Sequence, residues 1–187
     1  MAERVNLKSI SLFSKPANTV KPVDNVSLVD LYKLIISDKY KEPTEELREL
    51  ENPNLKRDYK GKNFDYFTGS GIFPYRADDA LKYHSGYIVI DLDDLEEDLR
   101  EVMAKLISDG HLYVLLMFVS PSGKGLKVIY GIDLSQGGHR KWFTAIRNYL
   151  RENYELEADP SGINVSRTCF LAYDPECYAC KEIRENI

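Results

Sequence analysis

The pattern of hydrophobic and polar positions is most regular in residues 86–173. Apolar or alternating runs there predict strands, and apolar residues at helical spacing predict two amphipathic helices. The predicted strands are residues 86–92, 112–119, 126–132 and 167–173, and the predicted helices are residues 95–109 and 136–153. This β-α-β-β-α-β order is typical of the split, RRM-like arrangement, a mainly antiparallel sheet with both helices on one face.

The first 85 residues are less regular and predict an N-terminal α/β portion that packs on this core. The predicted elements are an edge strand at 5–13, helices at 26–39 and 43–50, a polar loop at 52–62 and a short helix at 77–84. Ser27 is the expected N-cap of the first helix.

The fold class that follows is α+β, with an N-terminal appendage on an RRM-like core. We predict three segments: the α/β portion, residues 1–85, the core, residues 86–175, and a C-terminal tail, residues 176–187. The tail contains no pattern typical of a closing core element, which is the expectation for a chain cut from a longer protein.

Composition narrows the classes of function. Of the 187 residues 43% are hydrophobic, enough for a core, and the net charge of −5 argues against a protein that coats nucleic acid by bulk charge. A local basic groove is still compatible with this net charge. Lys56, Arg57, Lys60 and Lys62 form one basic cluster, which either contacts phosphate or is an ordinary solvated face.

The cysteines and the lengths of the apolar runs indicate in which cellular compartment the protein is found. Three cysteines give no disulfide framework, and no apolar run reaches the roughly 18 residues that a membrane span needs. The N-terminus lacks the apolar core of a signal peptide. These features predict a cytoplasmic protein.

The segment YIVIDLDD, residues 87–94, is the first that suggests chemistry. Alternate residues of a strand point to one face, so Asp91 and Asp93 should project together from its end. Two carboxylates this close repel each other unless a cation neutralises them, and a hard ion such as Mg²⁺ binds carboxylates together with substrate phosphates. The alternative is that the acids only cap the following helix, with Asp94 as the N-cap.

The second motif is SPSGKGLK, residues 120–127. Its Gly-rich turn lets backbone N–H groups approach an anion, and its lysines add charge, but a strand follows, so it is not a P-loop. Lys127 should lie on the strand face opposite Leu126 and Val128. The alternative is that these residues form an ordinary Ser-Gly turn followed by an edge-strand lysine.

The third motif is DPSGINVSRTCF, residues 159–170. Asp159 precedes a turn, and Arg167 opens the last predicted strand, where its guanidinium suits bidentate phosphate contact. The alternative is an Asx turn and a surface arginine.

In this order the three motifs resemble the VirE N-terminal or BT4734-like domain of mobile-element proteins, in the archaeo-eukaryotic primase (primase-polymerase) superfamily. The resemblance covers roughly residues 55–175. It implies a primase-polymerase-like fold and a metal-dependent nucleotidyltransferase, of the DNA primase or polymerase type, in mobile-element DNA replication. It also implies a nucleoside triphosphate and single-stranded or primed DNA as partners, and a helicase-type domain in a longer chain, with no membrane.

The resemblance also assigns residues. Asp91, Asp93 and Asp159 match the catalytic acids that hold Mg²⁺ or Mn²⁺. The residues implied in nucleotide binding are Ser120, Ser122, Lys124, Lys127 and Arg167. Lys127 stands where relatives usually have a histidine that binds the phosphates of the incoming nucleotide. A lysine supplies the charge but not a planar or proton-switching donor, so the resemblance implies nucleotide binding and leaves catalysis open.

Two other hypotheses stay open on the sequence. The domain is alternatively a non-catalytic module whose RRM-like sheet binds single strands through tyrosines and basic residues. A metal-dependent nuclease would use the same acids and would cleave strands rather than extend them.

Overall fold

A computed structural model describes residues 8–187. The strands are β1 Ile10–Phe13, β2 Asp24–Val26, β3 Tyr66–Thr68, β4 Gly71–Ile72, β5 Tyr83–His84, β6 Tyr87–Leu92, β7 Val114–Val119, β8 Leu126–Gly131, β9 Cys169–Phe170 and β10 Tyr178–Ala179. The helices are α1 Leu28–Ile36, α2 Lys41–Glu49, α3 Pro53–Asn63, α4 Leu99–Ser108, α5 His139–Tyr154 and α6 Lys181–Arg184. Of the predicted edge strand at 5–13, residues 5–7 lie outside the described residues.

The central sheet is antiparallel, in the order β10-β7-β8-β6. Strand β8 lies between β6 and β7, which helix α4 connects, so the β6-α4-β7 unit is split as predicted. A second antiparallel sheet has the order β2-β1-β3-β9, and β4 pairs with β5. The predicted α+β class with antiparallel sheets is confirmed.

The last predicted strand, residues 167–173, does not complete the central sheet. Only Cys169–Phe170 is a strand, and it pairs with β3 of the second sheet, where Phe170 lies opposite Tyr66. The outer position beside β7 is taken by β10 instead. An RRM-like or primase-polymerase-like fold is therefore not confirmed, because the choice between two sheet edges depends on tertiary packing that a strand pattern does not encode.

Helices α4 and α5 cover one face of the central sheet. Their apolar side chains share a core with alternate residues of β6 and β8, and this core includes Ile88, Ile90, Val102, Leu106, Leu126, Val128, Phe143 and Ile146. Lys127 and Ile129 belong to the opposite face, as the strand period predicts.

The opposite face of the sheet is also covered. Leu115, Phe118 and Ile129 share a second core with Leu31 and Ile35 of α1 and with residues of β1 and β3. Tyr87 and Tyr130 are buried in the two cores. Within residues 8–187 both faces of this sheet are thus covered, the second by the N-terminal part, so Tyr87 and Tyr130 are not available to stack on bases. Binding of single strands by other tyrosines and by basic residues stays a prediction.

The predicted loop at residues 52–62 is wrong, because α3 occupies it. The Asn52 side chain accepts hydrogen bonds from the N–H groups of Asn54 and Leu55, and Pro53 takes the first helical position. A cap and an N-terminal proline favour a helix even where no residue is buried. Periodicity missed α3 because the helix has no buried stripe.

Three other predicted boundaries need correction. Helix α4 is capped by Asp98, not Asp94, whose φ of 48° places it in a left-handed turn. The short helix predicted at 77–84 is a 3₁₀ turn followed by β5. The predicted tail at 176–187 contains β10 and α6, and Ile183 is fully buried, so it does close part of the core. The N-cap at Ser27 is confirmed, in a capping box with Asp30.

No helix within residues 8–187 is both long enough and apolar enough to cross a membrane.

Candidate metal and phosphate site

Three aspartate carboxylates from two distant parts of the chain converge at the end of β6. Asp91 lies on β6, Asp93 follows the strand, and Asp159 belongs to the loop after α5. One carboxylate oxygen from each lies within 4.8 Å of the others. The backbone fixes this approach, because the Asp159 N–H donates to the Asp91 carbonyl oxygen at 2.9 Å. We call these three residues the acidic cluster.

Lys127 pairs with the two acids at the end of β6, Asp91 and Asp93. It lies directly opposite Asp91 in the ladder between β6 and β8, so both side chains project from the same face. Its ammonium donates to the Asp91 carboxylate, and its Nζ lies 3.6 Å from Oδ1 of Asp93. The Lys127 side chain is only 9% exposed, so solvent screens these interactions weakly.

The pKa values follow this arrangement. Burial raises the pKa of the Asp91 carboxyl, and the negative charge of Asp93 adds to this rise against the opposing effect of Lys127. Burial alone would lower the pKa of Lys127, but attraction to Asp91 and Asp93 raises it above its ordinary value. The site therefore favours a cation next to Asp91, and Lys127 supplies one.

Asp159 has its own set of partners. Its Oδ1 accepts hydrogen bonds from the Ser161 N–H at 2.9 Å and the Ser161 hydroxyl at 2.7 Å, and its Oδ2 accepts one from Arg167 Nη2 at 2.6 Å. Burial alone would raise the pKa of Asp159, but these hydrogen bonds and the nearby Arg167 charge lower it. The carboxylate is thus held ionised and oriented.

The Gly-rich turn at residues 120–125 is docked against the acidic strand. The Ser120 N–H donates to the Gly125 carbonyl at 2.8 Å, and the Gly123 N–H donates to the Ser120 carbonyl at 2.9 Å. The Lys124 carbonyl in turn accepts from the Leu95 N–H at 2.9 Å, which ties the turn to the segment after Asp93. The turn and the acidic cluster are thereby held side by side.

The predicted nucleotide-binding residues differ in solvent exposure and in their contact with the acidic cluster. Ser120 is 2% exposed and its hydroxyl lies 3.1 Å from that of Ser122, so Ser120 serves the turn rather than an open surface. Ser122 is half-buried and Lys124 is exposed. Lys127 and Arg167 both contact the acidic cluster. The structure thus brings two of the five next to the acids and leaves the other three, Ser120, Ser122 and Lys124, on the adjoining turn.

The close approach of the turn requires a glycine at position 125. A Cβ there would lie 2.2 Å from the Leu92 carbonyl oxygen and 3.1 Å from the Asp93 Cα, which are backbone atoms that cannot move aside cheaply. We expect Gly125→Ala to lower the free energy of unfolding by about 2 kcal/mol. Chemical denaturation followed by circular dichroism would measure this.

Gly61→Ala is the matched control for that substitution. A Cβ at Gly61, inside α3, meets only the Ala17 Cβ at 3.9 Å. Alanine should therefore stabilise the protein there by about 0.5–1 kcal/mol, because it lowers the entropy of the unfolded chain. Equal stabilities of the two variants would contradict the tight docking of the turn.

Sequence reasoning missed two basic residues beside the site. Arg48 of α2 donates to the carbonyl oxygens of Ser120 and Pro121, both at 3.4 Å, and so holds the turn from outside. Lys60 of α3 is half-buried near Lys127 and the acidic cluster. No motif points to Arg48, and the only signal for Lys60 was its place in a basic cluster assigned to a loop.

A protein-family model described as "BT4734-like, N-terminal domain" matches residues 59–178, more than half of the chain. The matched segment includes the acidic cluster, the turn, Lys127 and Arg167. No curated protein matches the chain, and no solved structure matches it.

Proposed function

The chain belongs to the family of BT4734-like N-terminal domains, and we propose that its acidic cluster binds a divalent metal ion and a nucleoside triphosphate for nucleotidyl transfer to DNA. The family match identifies the domain, and the proposed reaction is argued from the residues of the site. On this proposal the domain is a primase-polymerase-like nucleotidyltransferase of mobile-element replication, as the resemblance of its three ordered motifs implies.

The observation that carries the proposal is the convergence of Asp91, Asp93 and Asp159. Three carboxylates with oxygens within 4.8 Å of one another repel, and the two basic side chains paired with them, Lys127 and Arg167, leave one of the three negative charges uncompensated. Helix capping does not explain it, because Asp98 caps α4 and neither Asp91 nor Asp93 does so. A cation site is the function that this arrangement serves best.

The donor set fits Mg²⁺ or Mn²⁺. All three ligands are hard carboxylate oxygens, which these ions prefer, and Asp93 is 55% exposed, so a bound ion would keep access to substrate and water. A metal ion held by these residues would supply Lewis-acid stabilisation of the charge on a transferring phosphoryl group.

The basic residues supply the phosphate contacts. Lys127 and Arg167 are already paired with acids of the cluster, and each would turn its charge to the phosphates of a bound triphosphate. Ser122 and Lys124 lie on the adjoining turn, and on this proposal their hydroxyl and ammonium would contact the same phosphates. Lys127 offers a point charge where relatives usually have a histidine, so its role is electrostatic rather than proton transfer.

The reaction is an in-line displacement at the α-phosphorus. The 3′-oxygen of a primer or first nucleotide forms a bond to this phosphorus and gives its proton to solvent. The bond to the bridging oxygen of the β-phosphate breaks, and pyrophosphate leaves with that electron pair. The basic side chains around the site would stabilise the negative charge that collects on the pyrophosphate.

Asp91→Asn tests the proposal. The substitution keeps the shape of the side chain but removes the charge of the most buried acid in the cluster, so we expect the affinity for Mn²⁺ to fall about tenfold or more and metal-dependent triphosphate binding to be lost. Calorimetric titration of Mn²⁺, with and without a nonhydrolysable nucleoside triphosphate, would measure both quantities.

Asp94→Asn is the matched control. Asp94 is an exposed acid three residues further on, outside the cluster, and its left-handed backbone tolerates asparagine. This variant should bind Mn²⁺ as the wild type does. Equal binding by wild type and Asp91→Asn, or no metal binding by the wild type, would sink the proposal.

A nuclease would use the same acids, and its products separate it from a nucleotidyltransferase. An end-labelled primer annealed to a template should become longer in the presence of Mn²⁺ and deoxynucleoside triphosphates. Shorter products that form without triphosphates would favour the nuclease.

A further inference from the structure

Lys60 lies beside the acidic cluster although no motif contains it. It belongs to α3, and its ammonium lies over the Phe170 ring, 5.5 Å from the ring centroid. Phe170 is on β9, three residues after Arg167, which pairs with Asp159. Helix α3 therefore holds a lysine against the strand that follows Arg167, within reach of the charges of Lys127, Asp93, Asp91 and Arg167.

The charge balance of the site singles out Lys60. Lys127 is paired with Asp91 and Asp93, and Arg167 is paired with Asp159. Within residues 8–187 no carboxylate lies within 4.0 Å of the Lys60 ammonium. Unlike Lys124 and Arg48, which are exposed and also lack an acid partner there, Lys60 is half-buried with no acid to neutralise its charge.

The surroundings of Lys60 disfavour the charged form of its unpaired ammonium. Burial lowers the pKa of its ammonium, and the nearby Lys127 charge lowers it further against the opposing effect of Asp93 and Asp91. A half-buried ammonium that is repelled by a nearby ammonium is stabilised when an anion binds close to both. The cationic side of the site is therefore prepared for a negatively charged ligand.

We propose that Lys60 is a phosphate-binding residue of the site and contacts the polyphosphate chain of the nucleoside triphosphate together with Lys127. This inference rests on the proposed function and adds a specific residue to it. A lysine serves as a point charge for phosphate, and the Phe170 ring restricts the flexible stem so that less side-chain entropy is lost on binding. The contact would select for triphosphates over nucleosides, because it acts on the phosphates alone.

Lys60→Met and Lys62→Met test this assignment as a matched pair. Both remove one positive charge from α3, but Lys62 is exposed and lies outside the group of charges around the cluster. In calorimetric titrations with a nonhydrolysable deoxynucleoside triphosphate at constant Mn²⁺, we expect Lys60→Met to bind about tenfold more weakly. Lys62→Met should stay within about twofold of the wild type, because solvent and salt screen an exposed charge.

Two further measurements exclude indirect effects. Titration of Mn²⁺ without nucleotide should give the same or slightly higher affinity in Lys60→Met, because a competing positive charge is gone. Lys60→Arg should recover most of the triphosphate affinity, and inorganic tripolyphosphate should show the same order of variants as the nucleotide.

The outcomes separate this inference from the proposed function. Wild-type triphosphate affinity in Lys60→Met, with Mn²⁺ and triphosphate both bound by the wild type, would overturn the role of Lys60 and leave the proposed function intact. A wild type that binds neither Mn²⁺ nor triphosphate would overturn both.

Discussion

Asp174→Ala should lower the free energy of unfolding by about 3 kcal/mol, one of the two largest effects that we expect from a single substitution. The Asp174 carboxylate is 2% exposed and accepts hydrogen bonds from Arg100 Nη2 at 2.8 Å, the Val119 N–H at 2.8 Å and the Glu176 N–H at 3.1 Å. Alanine would leave the Val119 N–H buried without its acceptor and Arg100 without its buried partner. Urea denaturation followed by circular dichroism would measure the loss.

The hydrogen bonds of Asp174 also hold the start of the Gly-rich turn beside the acidic cluster. Val119 is the last residue of β7, and the Gly-rich turn begins at the next position, Ser120. The hydrogen bond from Val119 to Asp174 therefore fixes the point where the chain leaves the sheet to form the turn. We expect the loss of Asp174 to loosen the turn as well as the fold.

Glu176→Ala is the control for Asp174→Ala. Glu176 pairs with the same Arg100, at 3.1 Å, but its side chain is 73% exposed. An exposed pair of this kind contributes less than about 1 kcal/mol, so Glu176→Ala should be almost neutral. Asp174→Asn should fall between the two, because the amide oxygen still accepts while the charge is lost. Similar losses in Asp174→Ala and Glu176→Ala would contradict this account.

The part of the site that was predictable from the sequence is the part that strand geometry determines. The two-residue period puts Asp91 and Asp93 on one face, and the same period puts Lys127 on the face opposite Val128. The buried runs that flank these residues gave strands β6 and β8 almost to the residue. Local pattern was sufficient here because each of these strands buries both of its faces.

The part that was not predictable depends on contacts between distant segments. Asp159 reaches Asp91 through a backbone hydrogen bond across 68 positions, the difference between 159 and 91, and no periodicity encodes it. The strand at Cys169–Phe170 pairs with β3 rather than with the central sheet for a similar tertiary reason. The resemblance of the ordered motifs was the only signal that joined Asp159 to the other two acids.

The missed helix α3 has a different cause. Its 11 residues bury none of their side chains fully, so the apolar stripe that marks a surface helix is absent. The informative signals were local: Asn52 as N-cap and Pro53 at the first helical position. Lys60 was assigned to a loop for this reason, and its place beside the acidic cluster became visible only in the fold.

Lys127→Met should lower the free energy of unfolding by about 3 kcal/mol in the absence of divalent metal, because it leaves the partly buried Asp91 without its countercharge. The Asp91 side chain is 15% exposed, and Lys127 is its direct partner across the ladder. Mn²⁺ should then restore much of this stability, since the same carboxylate oxygens would gain a new cation. Thermal unfolding over a series of MnCl₂ concentrations would measure both effects.

The expected difference in Mn²⁺ response between Lys127→Met and the wild type follows from the thermodynamic linkage of metal binding to folding. A ligand that binds only the folded state stabilises it by RT ln(1 + [L]/Kd), so the rise with MnCl₂ reports the metal affinity. In the wild type, Lys127 already occupies the oxygen of Asp91 and lies near that of Asp93, so it competes for the site. Removing this competitor should make Lys127→Met more sensitive to Mn²⁺ than the wild type.

Lys124→Met controls for the loss of a positive charge near the site. Lys124 is exposed on the same turn and makes no ion pair with the acidic cluster within residues 8–187. Its replacement should change neither the stability without metal nor the response to Mn²⁺. A response to Mn²⁺ that is equal in Lys127→Met and Lys124→Met would contradict the competition between Lys127 and the metal.

The same variant separates two roles of one lysine. In Lys127→Met, affinity for Mn²⁺ alone should rise while affinity for the triphosphate falls, because the ammonium that competes for the acids is also the one proposed to bind the phosphates. A purely structural lysine would lower stability and leave both affinities unchanged. Opposite changes in the two affinities would therefore indicate that Lys127 leaves Asp91 and turns to the phosphates when the carboxylates hold a metal ion.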